Sequence, residues 1–302
     1  MRIALTGGTG YVGAFIARRL LESGHDVRWM IRPGGTHPAG EMETVETALD
    51  PDSDYRQLLD GADALVHAAF HHQPGRYRRG EGDDLKGFQR ANIAGSLALI
   101  DQARQSGVTR AVLLSSRAVY GKREPGVVLT EDMAVRPDTH YGAAKATLEA
   151  FATSHARQDN WPVCALRPTG VYGVGEPIVR SKWYDLVGDC LAGRDVPVRG
   201  GTEVHGRDVA NAVLLLLQAP EAEIAGRAFN CSDLYVSTRD IAAAVGKRSG
   251  REIALPEEPG GRAGFNVMDC SGLRKLGMAF GGGELLKSTL DALTAHHLDR
   301  GA

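Results

Sequence analysis

Short apolar runs and amphipathic segments alternate along the first half of this 302-residue chain. The apolar runs predict strands at Arg2–Leu5, Val27–Ile31, Thr44–Thr47, Ala64–Ala68 and Ala111–Ser115. Amphipathic stretches predict helices at Ala14–Ser23 and Leu85–Gln105, each followed closely by a glycine, the residue favoured where a helix ends. Strands that alternate with helices predict an α/β fold, a doubly wound parallel sheet with helices on both faces.

The second half of the chain continues this pattern and then loses it. The predicted elements are a helix over His140–Ala156, a strand over Pro162–Leu166, a helix over Arg207–Gln218, a short strand over Ala228–Cys231 and a terminal helix near Glu284–His297. The segments between them predict loops and short helices. We therefore predict a larger domain of residues 1–170 plus about 205–231, and a smaller C-terminal lobe of about 171–204 and 232–302.

A glycine-rich turn follows the first strand at once, in the run Gly7-Gly8-Thr9-Gly10-Tyr11-Val12-Gly13. Such a turn aims backbone N–H groups, with the positive end of a helix dipole behind them, at one point that suits a pyrophosphate. One glycine permits the tight turn, a second lets the phosphate approach, and Gly13 lets the helix pack closely on the strand. A glycine-rich surface loop is the alternative. The position between a strand and a helix favours a dinucleotide site formed by Gly7, Gly10, Tyr11, Val12 and Gly13.

Composition and charge narrow the classes of function. The chain is 43% hydrophobic and 24% charged, with a net charge of −2, which gives no reason to expect nucleic acid or an anionic membrane as a partner. Its four cysteines lie far apart and form no C-x-x-C pair, which argues against a zinc or redox motif and fits a reducing compartment. No apolar run approaches the ~20 residues that span a bilayer, and the N-terminal run is too short for a signal peptide, so we expect a cytoplasmic protein.

Two further motifs suggest chemistry. Tyr141 and Lys145 stand four residues apart in the helix predicted over His140–Ala156, so they share a face, and the lysine ammonium favours the phenolate form of the tyrosine. That pair suits a proton donor and acceptor. Ser115 and Ser116 end an apolar strand at the carboxyl edge of the sheet, where Ser116 can hydrogen-bond a substrate oxygen. Alternatively, the two serines merely end the strand and begin a turn.

Together these stretches resemble the extended short-chain dehydrogenase/reductase family, also described as the NAD-dependent epimerase/dehydratase family, over most of the chain. The motifs behind the resemblance are Thr6-Gly7-x-x-Gly10-x-x-Gly13, His67-Ala68-Ala69, Asn92 in Asn92-Ile-Ala-Gly-Ser, Ser115-Ser116 before Val119-Tyr120-Gly121, Tyr141-x-x-x-Lys145, and Leu166-Arg167-Pro168 before Val171-Tyr172-Gly173. The resemblance implies a Rossmann-type domain that binds NAD or NADP, and a smaller lobe that binds the substrate.

The resemblance also implies roles for single residues. Ser116, Tyr141 and Lys145 form the catalytic set, with Lys145 also bonding the nicotinamide ribose. Asn92 either positions a water near Lys145 or ties helix to strand. Cofactor contacts are implied for Gly7, Gly10 and Gly13 at the pyrophosphate, Ala68 and Ala69 in the groove, Ser115 beneath the nicotinamide, Pro168 near the carboxamide and Asp50 at the adenine. For Asp50 a second interpretation is a residue that starts a helix before Pro51.

The end of the second strand bears on the choice of cofactor. NAD-specific relatives carry an aspartate about twenty residues after the glycine turn, where it accepts a hydrogen bond from the ribose 2′-hydroxyl. This chain has Ile31 there, followed by Arg32, and a planar guanidinium binds a phosphate well. We therefore expect NADP(H) to be preferred, with NAD(H) possible. The alternative is that Arg32 only lies over the adenine and that both cofactors bind.

Substrate contacts are expected from the carboxyl edge of the sheet. The segment Phe70–Asp84 leaves that edge and contains His71 and several arginines, which either hold an anionic substrate or belong to a solvated loop. Arg117 and Thr169 are further candidates for substrate contact, and the alternative for Arg117 is a structural turn residue. His71 and His72 have no partner at metal-ligand spacing, so no metal is expected.

One departure from the family pattern affects the expected reaction. Nucleotide-sugar relatives commonly place an asparagine before Val-Tyr-Gly, where this chain has Thr169-Gly170. With Arg32, this favours an oxidoreductase that moves a hydride between the nicotinamide and a smaller carbonyl or hydroxyl compound. A nucleotide-sugar epimerase or dehydratase that retains its cofactor is the second hypothesis, and a catalytically silent NADP-sensing regulator is the third. A homodimer is expected, because relatives pair the helices near Leu85–Gln105 and His140–Ala156; the alternative is that the apolar positions of these helices only pack on their own sheet.

Overall fold

The computed structural model describes residues 1–35, 37, 42–73, 79–260 and 264–300. Seven strands form a parallel sheet in the order β3-β2-β1-β4-β5-β6-β9. Their bounds are β1 Arg2–Thr6, β2 Asp26–Ile31, β3 Glu43–Glu46, β4 Ala64–His67, β5 Arg110–Leu114, β6 Val163–Pro168 and β9 Ala228–Cys231. The winding reverses between β1 and β4, and ligands of such sheets bind beside that point. The predicted doubly wound parallel sheet is confirmed.

Helices cover both faces of this sheet. One face packs on α1 and α7, and the other packs on α4 and α5. Because the inner strands are buried on both faces, their sequences are continuously apolar. The helices are α1 Tyr11–Glu22, α2 Arg56–Leu59, α3 Leu85–Gln89, α4 Ser96–Gln105, α5 His140–Gln158, α6 Tyr184–Leu191, α7 Gly206–Gln218, α8 Glu221–Ile224, α9 Thr238–Ser249, α10 Ser271–Lys275 and α11 Gly282–Arg300. Helix α1 thus begins directly after the glycine turn, three residues before the predicted Ala14.

The helix predicted over Leu85–Gln105 contains a π-helical turn. The residues Arg90–Gly95 adopt it and join α3 to α4 without a break. A Cβ at Gly95 would lie 2.8 Å from the backbone nitrogen of Asp50, so the glycine lets this turn pack directly on the segment that follows β3. π-Helical turns are frequent at functional sites, and this one contains Asn92.

A second sheet has three strands in the order β10-β8-β7. Strand β8 pairs in parallel with β7 and antiparallel with β10, and the helices α6, α9 and α11 share an apolar cluster with this sheet. The bounds are β7 Gly170–Tyr172, β8 Gly200–His205 and β10 Leu234–Ser237. The sequence predicted only loops and short helices here, because the glycines that open β8 interrupt any alternation of apolar and polar residues. The division into a cofactor domain and a substrate lobe stays a prediction.

Two kinds of feature are absent from the described part of the chain. None of its helices is long and apolar enough to cross a membrane. Within the same residues, no group of three or more His, Cys, Asp or Glu side chains is arranged to hold a metal ion.

Candidate functional site

The glycine turn leaves no room for side chains where it meets the neighbouring strand. Gly7 has a φ of +74°, which favours glycine, and a Cβ there would lie 2.5 Å from the backbone nitrogen of Ala69. A Cβ at Gly13 would overlap the carbonyl oxygen of Gly7, so α1 packs tightly on the end of β1. Gly10 is the N-cap of α1, whose first turn carries no acidic side chain. The backbone N–H groups at this helix start therefore fit the pyrophosphate of a dinucleotide.

Hydrogen bonds hold the chain after β4 against this turn. The side chains of Thr6 and His67 are joined at 2.7 Å, and Nε2 of His67 lies 3.0 Å from Ser96 Oγ on α4. Burial lowers the pKa of His67 to about 3, so its imidazole is neutral at physiological pH. The backbone N–H groups of Ala68 and Ala69 donate to the carbonyl and the hydroxyl of Thr6 respectively. Both alanines thus lie beside the glycine turn, where the cofactor groove is expected.

Tyr141 and Lys145 lie one helical turn apart on α5, and both contact Phe70. The Phe70 ring stands edge-on to Tyr141 with 4.9 Å between ring centres, and Lys145 Nζ lies 4.6 Å from the centre of the Phe70 ring. Lys145 is 3% exposed, and its Nζ donates to the carbonyl oxygen of Leu114 at 2.5 Å. Burial lowers the pKa of Lys145 to about 7, so its charge changes near neutral pH. Sequence reasoning missed the contact with Phe70, which only the fold brings to α5.

Ser116 lies beside the start of α5. Its Oγ accepts a hydrogen bond from the backbone N–H of Ala118 at 3.1 Å and so begins the 3₁₀ helix Arg117–Tyr120. A Cβ at Gly142 would lie 2.5 Å from the carbonyl oxygen of Ala118, so α5 starts directly against this 3₁₀ helix. The structure thereby brings Ser116 to the same end of the sheet as Tyr141. The contact with Ala118 uses the oxygen of Ser116, and within the described residues the hydroxyl donates no hydrogen bond, so its proton is available to a ligand.

The hydroxyl of Ser115 belongs to a buried polar network. It donates to Glu149 on α5, whose carboxylate also pairs with Arg167 on β6, with 2.7 Å between Nη2 and Oε2. Arg167 donates to the Tyr120 hydroxyl at 2.6 Å, and that hydroxyl donates to Asn230 Oδ1 at 2.7 Å. Sequence reasoning missed Glu149. Its position one helical turn after the predicted catalytic lysine was the available signal.

Asn92 is 1% exposed, and its side chain bonds to backbone groups. Its Oδ1 accepts from the backbone N–H of His71 at 2.7 Å, and its Nδ2 donates to the carbonyls of His71 at 2.7 Å and Phe88 at 3.0 Å. Of the two roles that the sequence left open, this geometry corresponds to tying the π-helical turn to the segment after β4. The side chain of His71 itself is exposed.

Asp50 lies where the π-helical turn meets the segment after β3. Its carboxylate accepts from Arg90 at 2.8 and 2.9 Å and from the backbone N–H of Asp52 at 2.9 Å. The hydrogen bonds from Arg90 hold the pKa of Asp50 below its usual value. No helix starts at Asp50, because α2 begins only at Arg56.

The two arginines singled out in the sequence lie in different surroundings. Arg32 directly follows β2 and is exposed, and within the described residues its guanidinium has no hydrogen bond or ion pair. Arg117 is half-buried, which lowers the pKa of its guanidinium, and its Nε has no hydrogen-bond partner in the described part of the chain. The loop arginines Arg76 and Arg78 lie outside the described residues.

The end of β6 leads into the second sheet. Pro168 is the last residue of β6 and is buried. Thr169 is 8% exposed, its backbone N–H donates to the carbonyl of Cys231, and its hydroxyl donates to Ser232 Oγ at 3.3 Å. The hydroxyl of Thr169 is therefore already engaged within the protein.

An ion pair fills the space beside Gly170. Lys182 pairs with Glu203 on β8, and a Cβ at Gly170 would overlap the Glu203 carboxylate and lie 2.5 Å from Lys182 Nζ. The chain from 173 to 182 is also fastened to the start of α1. The hydroxyl of Tyr11 donates to the carbonyl of Gly173 at 2.8 Å and accepts from the backbone N–H of Lys182 at 3.4 Å. The side chain of Tyr11 thus joins the glycine turn to the second sheet.

Comparisons with known proteins agree with this arrangement. The model of the NAD dependent epimerase/dehydratase family matches residues 3–232. A UDP-glucose 4-epimerase of Corynebacterium glutamicum is 31% identical over 254 residues, which are 74% of this chain and 72% of that protein. A 3 beta-hydroxysteroid dehydrogenase/Delta 5-->4-isomerase of Mycobacterium tuberculosis is 26% identical over 82% of this chain and 70% of that protein. Some other relatives are matched over only about half of their length.

Solved structures share the whole fold. The UDP-glucuronic acid 4-epimerase from Bacillus cereus in complex with NAD superimposes with a TM-score of 0.79, covering 100% of this chain and 99% of that one at 20% identity. At this level of identity the likeness concerns the fold alone, and it includes both sheets described above.

Proposed function

Because the chain belongs to the NAD-dependent epimerase/dehydratase family and is an enzyme of the extended short-chain dehydrogenase/reductase type, we propose that it is an NADP(H)-preferring oxidoreductase of a small carbonyl or hydroxyl compound. The observation that supports this most is the joint contact of Tyr141 and Lys145 with Phe70, at the sheet edge that also bears the glycine turn. When bound there, the nicotinamide exchanges a hydride at its C4 atom with the substrate carbon.

Three side chains of the protein take part in catalysis. In the direction of reduction, Tyr141 gives its hydroxyl proton to the substrate oxygen, while Ser116 donates a hydrogen bond to that oxygen and stabilises its developing charge. Lys145, one helical turn from Tyr141, favours the phenolate left behind and bonds the ribose. Asn92 keeps the segment after β4 in place against this set through its bonds to His71. The remaining cofactor contacts are assigned to Ala68, Ala69, Ser115, Pro168 and Asp50, as the resemblance to the family implies.

The preference for NADP(H) rests on Arg32. It is exposed at the end of β2, next to the glycine turn, and free of internal partners in the described part of the chain, so it is available to a 2′-phosphate. Losing one charged hydrogen-bond partner costs about 1.5–3 kcal/mol, which corresponds to roughly 10- to 100-fold in affinity. The variant Arg32→Ala should weaken NADPH by that factor and leave NADH nearly unchanged. Arg194→Ala is the control, since Arg194 is an exposed arginine after α6 that pairs with Asp189. Tighter binding of NADH than NADPH by the unaltered protein would refute the preference.

The choice of a small substrate over a nucleotide sugar rests on Gly170. Nucleotide-sugar relatives commonly place an asparagine before Val-Tyr-Gly, whereas in this chain the ends of the paired Lys182 and Glu203 side chains lie where a Cβ at Gly170 would stand. His71, Arg117 and Thr169 are the proposed substrate contacts, of which His71 has an exposed side chain. Following NADPH oxidation against a panel of aldehydes, ketones and keto acids, with UDP-sugars alongside, tests the proposal. Turnover of the UDP-sugars alone would overturn it.

The second candidate is an epimerase or dehydratase that retains its cofactor. The observation in its favour is that both ends of the segment 173–182 are hydrogen-bonded to the hydroxyl of Tyr11. Tyr11 lies at the start of α1, where the pyrophosphate is expected. This function predicts nicotinamide that co-purifies with the protein, and turnover without net change in the absorbance of the reduced nicotinamide. The third hypothesis, a silent regulator, predicts dinucleotide binding without turnover of any compound in the panel.

We also propose a homodimer that pairs the helices α4 and α5 of two copies. Phe151 on α5 is a large apolar side chain that is 43% exposed in the single chain. Pairing of these helices between two copies would bury it.

A further inference from the structure

Glu149 stands one helical turn after Lys145 on α5 and makes three strong contacts. Its carboxylate accepts from Arg167 Nε at 2.9 Å and from Arg167 Nη2 at 2.7 Å, and it also accepts from the hydroxyl of Ser115. The Glu149 side chain is only 10% exposed and that of Arg167 5%. A buried, bidentate pair of this kind fixes the carboxylate in one position.

The contacts of Glu149 and Lys145 together hold the end of β5. Lys145 Nζ donates to the carbonyl of Leu114, and Glu149 binds the next residue, Ser115. Ser116, the proposed hydrogen-bond donor to the substrate oxygen, follows directly. Helix α5, which carries Tyr141, therefore holds the two residues before Ser116 in place. A shift of the Glu149 carboxylate would therefore change where Ser116 stands relative to α5.

Glu149 also acts on Lys145 through its charge. Burial lowers the pKa of Lys145, and the negative charge of Glu149 raises it, opposing that effect. The other groups around Lys145 supply no negative charge: His67 is neutral, and Phe70 offers the face of its ring. Within the described residues, Glu149 is thus the carboxylate that opposes the effect of burial on the Lys145 ammonium, although it also pairs with Arg167.

We propose that Glu149 is a positioning residue of this enzyme, which fixes the end of β5 through Ser115 and sets the electrostatic environment of the Lys145 ammonium from one turn away. The inference rests on the proposed function for the catalytic roles of Ser116 and Lys145. The proposed role is exerted through Ser115 and Lys145, and the contacts that Glu149 makes here are with Ser115 and Arg167.

The decisive variant is Glu149→Gln, which keeps the shape and an acceptor oxygen but removes the charge. The titration of Lys145 is followed by NMR of protein labelled with ¹³C-lysine, and its signal is assigned by its absence in Lys145→Met. We expect the Lys145 titration to move down by about one pH unit or more in Glu149→Gln. The alkaline limb of the kcat/KM profile should move down with it, because the ammonium is then lost at lower pH.

Two further variants keep the test decisive. Glu149→Gln leaves Arg167 buried without a counter-charge, so the double variant Glu149→Gln/Arg167→Met removes both charges and serves if the single one fails to fold. Thr153→Val is the matched control, because it removes a hydroxyl one turn further along α5 without changing any charge, and it should leave the Lys145 titration in place.

Failure of this inference and failure of the proposed function give different results. An unchanged Lys145 titration in both Glu149 variants, or an equal shift in Thr153→Val, would overturn the role of Glu149. A shifted titration in a protein that binds no nicotinamide cofactor would support the role of Glu149 in setting Lys145 and would overturn the proposed function instead.

Discussion

Burial of Lys145 should make the free energy of unfolding depend on pH, and the substitution Lys145→Met should remove that dependence. Its pKa falls from 10.5 to about 7 on folding, mainly through burial, so the native state binds fewer protons than the unfolded chain between these two values. The free energy of unfolding therefore rises with pH across this window by about 1.4 kcal/mol per pH unit. Below pH 7 and above pH 10.5, Lys145 contributes no pH dependence. The full effect is about 5 kcal/mol. Between pH 7.5 and 9.0 the expected gain is about 2 kcal/mol.

Urea unfolding of the unaltered protein and of Lys145→Met at pH 7.5 and 9.0 measures this gain. Methionine keeps the length of the side chain and does not titrate, so the difference in unfolding free energy between the two proteins should shift by about 2 kcal/mol in favour of the unaltered protein as pH rises. Other buried groups cancel in the difference; His67, for example, titrates below this window in both proteins. A difference that stays constant between the two pH values would refute the burial of Lys145 as an ionisable group at this site.

Three other predictions concern the cofactor turn, the proton donor and the dimer. Gly13→Ala should weaken dinucleotide binding by at least about tenfold in a fluorescence titration, since its Cβ overlaps the Gly7 carbonyl, whereas Gly283→Ala, where a Cβ meets nothing within 4 Å, should bind normally. Tyr141→Phe should lower kcat by about 10²- to 10⁴-fold with little change in cofactor affinity; near-normal turnover would exclude Tyr141 as proton donor. Phe151→Asp should give a monomer by light scattering, and an unaltered protein that is already monomeric would contradict the dimer.

Local sequence patterns predicted the parts of the site that are themselves local. The glycine turn lies within seven residues, and Tyr141 and Lys145 are one helical turn apart, so both motifs could be predicted from their spacing together with their places in the predicted elements. The parallel sheet followed from the alternation of apolar runs with amphipathic helices. The structure adds the reason why Gly7 and Gly13 are glycines, because a Cβ at either would collide with neighbouring backbone.

Contacts between elements that are distant in the chain could not be predicted from the sequence. The pairing of Glu149 with Arg167 joins a helix to a strand, and the contact of Phe70 with Tyr141 joins a loop after β4 to α5. The π-helical turn depends on how closely Gly95 approaches the segment after β3, and the pattern of apolar and polar residues does not predict that approach. The sequence left two roles open for Asn92. Its hydrogen bonds to the backbone of His71 correspond to the role that ties the helix to the strand, and the sequence alone does not contain them.

A crystal structure of the protein with bound NADP⁺ tests the central claim most directly. We expect the pyrophosphate against the backbone N–H groups at the start of α1, the 2′-phosphate at Arg32, and the nicotinamide C4 facing the hydroxyls of Tyr141 and Ser116. A nicotinamide ring turned away from Tyr141, or a dinucleotide bound elsewhere on the protein, would contradict the account.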